Sequence, residues 1–177
     1  MRLAQRFWAL FRADHRAYQE AYAKYEGYVS NVSVRLSGPS ASQIASALED
    51  PIIEEIDIAY DKAMEASQRA GLPYNVACVL YQKGLLRRLV GDLPAAEQFF
   101  RQSLSAFEAV LPEHSSARTS ISMCHFYLGQ ALLRMGEYDR AVKHLKTAIS
   151  LDQILDDTAR FEAAQEMLEE CARRGHG

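Results

Sequence analysis

The chain has 177 residues, of which 20 are basic and 23 acidic, for a formal net charge of −3, and 49% are hydrophobic. That balance excludes a general affinity for nucleic acid or an anionic membrane. The length and apolar content suffice for one compact domain or a short repeat array without covalent staples.

In chain order, apolar and aromatic side chains at Leu3, Phe7, Leu10, Phe11, Tyr18, Tyr22, Tyr25 and Val29 recur in steps of three and four. They predict a long amphipathic helix over 2–29. The run SGPSAS at 37–42 breaks the pattern, and a short helix is expected over 41–48. Asp50-Pro51 then supplies an N-cap with proline at the first helical position. The helix after it, 51–70, ends at Gly71, with Pro73 two residues on. Four more follow: 74–90, stopping at Gly91; one from Asp92 to just before Pro112; one from Ser115 or Ser116 to Gly136; and 138–151. A last helix over 156–173 closes at Gly175. Short turns between such helices make neighbours antiparallel.

Two segments repeat. GLLRRLVGDLPAAEQFFRQSL begins at Gly84 and GQALLRMGEYDRAVKHLKTAI at Gly129, an offset of 45 residues. In both, a second glycine follows seven residues later (Gly91, Gly136) and an alanine twelve later (Ala96, Ala141). A bulky residue comes four after the alanine (Phe100, Leu145) and a small one seven after it (Ser103, Ala148). Similarity at a fixed period marks a repeat architecture. The first glycine and the alanine are expected to face each other inside a helical hairpin, where backbones approach closely. The second glycine ends the first helix with positive φ. The small residue at 103 or 148 is expected to face the next hairpin.

The succession Leu128-Gly129, Tyr138, Ala141, Leu145 and Ala148 resembles the tetratricopeptide repeat (TPR). The unit from Gly84 departs from the family at Lys83 and Arg87, where Leu and Tyr are preferred. The second unit departs at His125, where an aromatic is usual, and at Gln153, where proline is usual. The long period resembles the kinesin-light-chain type of repeat. The resemblance implies an all-α, helical-hairpin repeat forming a right-handed superhelical array, with an N-terminal amphipathic helix and a C-terminal capping helix. The expected division is 1–49 for the N-terminal helix and linker and 50–177 for the repeat domain. Its units are 51–73 (degenerate), 76–111 and 116–152, with a cap at 156–173.

Chemistry is sparse. There is no HExxH, CxxC, GxSxG or glycine-rich phosphate loop. His15, His114, His125, His144 and His176 show no ligand spacing and read as structural residues. Cys78, Cys124 and Cys171 read as reduced, buried thiols of a cytoplasmic protein. Glu54, Glu55, Asp57 and Asp61 read as a solvated acidic face. No metal, cofactor or enzymatic activity is expected.

Function is therefore sought on the surface. In TPR arrays the first helix of each unit lines a concave groove. The resemblance places Tyr81, Leu85 and Arg88 there from one unit, next to Cys78, and Phe126, Gln130 and Arg134 from the next, beside Met123. Aromatic and arginine side chains suit a protein or peptide partner, acidic or with a free C-terminus. The competing reading packs Tyr81 and Phe126 between helices. An adaptor or scaffold is expected, with a dedicated chaperone or peptide-sensing regulator as the alternative. Arg2, Arg6, Arg12 and Arg16 share the first helix with Phe7, Trp8 and Phe11. That helix suits a cap on the first hairpin, ahead of a homodimer or partner contact and, last, a membrane surface.

Overall fold

The structure, a computed structural model, describes residues 16–17, 19–20, 23–24 and 51–175. The expected break at 37–42, the short helix over 41–48, Asp50 and most of the first helix lie outside them. The described N-terminal residues are helical. The chain divides into two compact units, residues 1–92 and 93–177. Every element described in them is α-helical, and no strand occurs among the described residues.

In the first unit, α1 (Pro51–Ala70) is followed by α2 (Pro73–Leu89). Each opens on a proline, whose missing N–H is not needed in the first turn and whose fixed φ suits it. Between them Gly71 takes φ 68°. Its N–H bonds the Gln68 carbonyl at 3.1 Å, and that of Leu72 bonds the Ser67 carbonyl at 2.9 Å. This paired bonding across a left-handed residue is the Schellman closure. Ile53, Ile56, Tyr60 and Ala63 form one stripe of α1, buried against Val79, Leu86 and Val90. Ala17 packs on the same cluster, and Lys24 Nζ lies 3.3 Å from Glu55 Oε2.

The second unit holds α3 (Leu93–Val110), α4 (Ala117–Arg134), α5 (Tyr138–Leu155) and α6 (Thr158–Gly175). Each packs against the next, and α6 also reaches α4. This is an all-α helical-hairpin repeat. Gly136 ends α4 with φ 81°. Its N–H meets the Leu133 carbonyl at 3.1 Å and that of Glu137 meets Leu132 at 2.9 Å, the same closure as at Gly71. Gly91, at φ 84°, follows α2 as expected.

A Cβ on Gly129 would lie 2.6 Å from Leu145 Cγ and Cδ2, and 3.4 Å from the Leu145 backbone nitrogen. The glycine thus leaves the space that the bulky Leu145 side chain fills. Ala141 is fully buried in the same core, with Leu132, Ala148, Ala164 and Cys171. Gly84 and Ala96 are each buried. Ser103 faces α4 as expected, its Oγ 3.6 Å from Cys124 Sγ.

Two helix limits differ from expectation. The helix expected over 138–151 runs on to Leu155, because Gln153 keeps the N–H that a proline would lack. The last helix starts at Thr158 instead of 156 and ends on Gly175 rather than before it. Asp156 takes φ 57° between the two helices, and the Asp157 carboxylate accepts the Arg160 backbone N–H at 3.1 Å, as an N-cap does.

Candidate partner-binding faces

The candidate face of α4 follows from its spacing: Phe126, Gln130 and Arg134 are four residues apart and share one side of the helix. They lie at different depths. Phe126 is 9% exposed and belongs to the core, Gln130 and Met123 are half-buried, and Arg134 is exposed. The Phe126 ring meets Tyr127 edge-on at 5.2 Å. Tyr127 in turn stacks on Phe100 of α3 at 5.7 Å. On α2, Tyr81 and Leu85 are 8% and 9% exposed, while Arg88 and Cys78 are half-buried. In each unit the aromatic forms the floor and the arginine stands higher.

The acidic run of α1 is not uniformly solvated. Glu54 and Glu55 are exposed, but Lys83 Nζ lies 2.7 Å from Asp61 Oδ1 and 3.6 Å from Asp57 Oδ1, and Arg87 bonds Asp57. Burial pushes the Asp57 carboxyl above its usual range, against the pull of Arg87 and Lys83. Lys83 and Arg87 are the two departures from the repeat pattern in this unit. Their cations replace apolar packing because α1 brings them carboxylates.

His125 and His144, read from sequence as structural residues, meet with their Nδ1 atoms 2.9 Å apart across α4 and α5. Their separation in sequence fits no ligand motif, so only hairpin packing reveals them. Arg140 of α5 bonds Glu97 of α3, and Arg101 Nε lies 3.3 Å from the same carboxylate. Among the described residues, no group of three or more His, Cys, Asp or Glu is placed to hold a metal ion. A hollow of about 340 Å³ lies between α5 and α6, lined by Tyr138, Val142, Lys146, Leu168 and Cys171 among others.

Hairpins of this kind, with a glycine seating a bulky residue and a left-handed glycine closing the first helix, define the helical-repeat class. Residues 122–155 match the family model of the tetratricopeptide repeat, so the chain carries a TPR and is of that type over this stretch. The match spans most of α4, its turn and all of α5. No curated protein and no solved structure matches the chain. Repeats of this family act in protein–protein interaction, through the extended surfaces that stacked hairpins create. Among the described residues no helix is long and apolar enough to cross a membrane.

Proposed function

We propose that the protein is an adaptor that holds a peptide or a segment of a partner protein on the first helices of its hairpins. The observation that carries this reading is the coincidence of the repeat match at 122–155 with the α4–α5 hairpin. The α4 row rises from buried Phe126 through Gln130 to exposed Arg134. A partner laid there meets an apolar floor, then an amide, then a guanidinium able to fork onto a carboxylate. On α2, Tyr81 and Leu85 offer an apolar floor and half-buried Arg88 a guanidinium, with no amide between them. The favoured ligand is an acidic peptide or one ending in a free carboxylate. No enzymatic step, metal or cofactor enters this reading, and the cytoplasm is the compartment that suits three thiols outside any disulfide.

The N-terminal stretch 1–49 is proposed as a cap on the repeat region 50–177. The contact of Ala17 with the α1 core and of Lys24 with Glu55 supports this over a homodimer contact. A dedicated chaperone or peptide-sensing regulator would use the same faces, and the kinesin-light-chain-like period is compatible with either.

The test is binding of a library of acidic peptides with free C-termini, read by fluorescence anisotropy. Arg88→Glu with Arg134→Glu should weaken the selected peptide by tenfold or more, about 1.4 kcal/mol. Lys62→Glu with Lys143→Glu makes the same change in net charge at exposed positions of α1 and α5 and should leave binding nearly intact. Equal losses in the two pairs would overturn the assignment of the faces.

A further inference from the structure

His125 of α4 and His144 of α5 meet nitrogen to nitrogen. Their Nδ1 atoms are 2.9 Å apart, while the ring centres are 5.1 Å apart with planes tilted by 38°. Both nitrogens therefore lie close to the line joining the rings. Lone pairs aimed along one line suit a shared proton; a metal needs both aimed at a third point. A neutral imidazole has one N–H, so one Nδ1 donates and the other accepts. Both rings are half-buried. Facing them are Glu97 and Arg101 from α3 and Arg140 from α5, with Glu97 already engaged by both arginines.

We propose that His125 and His144 form a proton-operated latch on the α4–α5 hairpin, closed while a single proton lies between the two Nδ1 atoms and opened once acid has protonated both rings. With both rings protonated, each Nδ1 is a donor and neither can accept. Two cations then stand in contact beside Arg101 and Arg140, with the Glu97 carboxylate already occupied. Burial pushes His125 down to about 4, with His144 adding to the shift. Burial, Arg101 and Arg140 push His144 down, against Glu97. An unfolded histidine protonates near 6.5. Between there and about 4 the unfolded chain takes up protons that the folded chain refuses. Stability is thus present above pH 6.5 and is lost as pH falls toward 4. The latch lies inside the matched repeat but does not rest on any partner being held there.

Urea unfolding of the full chain at pH 7 and pH 5 tests it, with His125→Asn as the variant. The amide keeps a hydrogen-bonding group near the Nδ1 position and does not titrate. His125 alone should lower the native chain's folded-to-unfolded ratio roughly 20-fold over that interval, and this component should vanish in the variant. The same pH dependence in both would overturn the latch. Should the variant fail to fold, NMR titration of the imidazole C–H signals in the native chain decides. A midpoint well below 6.5 for at least one of the two rings supports the latch, and ordinary midpoints for both overturn it.

Discussion

The Arg160 guanidinium grips both carboxylate oxygens of Asp152, with Nε at 2.9 Å from each and Nη2 at 2.8 Å from Oδ1. The Asp152 side chain is 0% exposed and that of Arg160 14%. Ser122 of α4 donates to the same carboxylate, and Asp157 adds a second partner for Arg160 at 2.9 Å. One buried carboxylate therefore ties α4, α5 and α6 together at the end of the repeat.

Arg160→Met leaves Asp152 buried without its cation, which should cost about 3–5 kcal/mol. Asp152→Leu combined with Arg160→Met removes both charges and should recover much of that loss, since an apolar replacement of a buried pair is often neutral. Urea unfolding of the two variants checks the pair. A small effect of the single change would mean that water reaches the carboxylate.

Gly129 makes a second prediction. A methyl there would strike Leu145 at 2.6 Å, and Leu145 is fully buried and cannot swing into solvent. Gly129→Leu should destabilise by about 1–3 kcal/mol through overpacking. Gly129→Ala with Leu145→Ala should cost less than the sum of the two single changes, because the second removes what the first strikes. Thermal unfolding of the cycle measures the coupling, and strict additivity would contradict the contact.

These residues mark the limit of what was legible in the chain. Gly71, Gly91 and Gly136 announced helix ends because positive φ is a local demand that glycine alone meets cheaply. Gly129 announced a close approach, but not that Leu145 would fill it, since the facing position depends on how two helices are phased. Lys83, Arg87 and His125 stood out only as departures from a pattern. Their partners Asp57, Asp61 and His144 lie on other helices, and packing alone brings them together. Asp152 and Arg160 gave no signal at all, because a charged residue near a helix end is ordinarily solvated. The candidate faces were legible as residue types four apart, whereas the depth of Phe126 and Tyr81 depends on what covers them.

The thiols should be inert in the folded chain. Cys124 is fully buried and Cys171 is 2% exposed. Burial pushes the Cys78 thiol up to about 11, with a Tyr74 hydrogen bond pulling the other way, and burial with Glu170 raises Cys171. The thiolate is the reacting species, so a disulfide reagent at neutral pH should label the native protein slowly and all three cysteines quickly in denaturant. Fast labelling of Cys78 in the native state would show that α2 opens there.

Asp156 separates backbone conformation from packing. It holds φ 57° with a side chain, while Gly136 holds φ 81° with open space where a Cβ would stand. Left-handed backbone costs an L-residue roughly 1–2 kcal/mol, less for aspartate, whose short side chain bonds locally. Asp156→Gly should therefore stabilise by about 0.5–1 kcal/mol. Gly136→Ala should destabilise by roughly 1 kcal/mol with no steric contribution. The two changes are opposite in sign and lie at equivalent helix ends, so thermal melts of both test one cause. If Asp156→Gly instead lowers the melting temperature, the aspartate side chain itself holds the α5–α6 turn, and the carboxylates lining the hollow of about 230 Å³ beside it, Asp152 and Asp157 among them, become the next positions to vary.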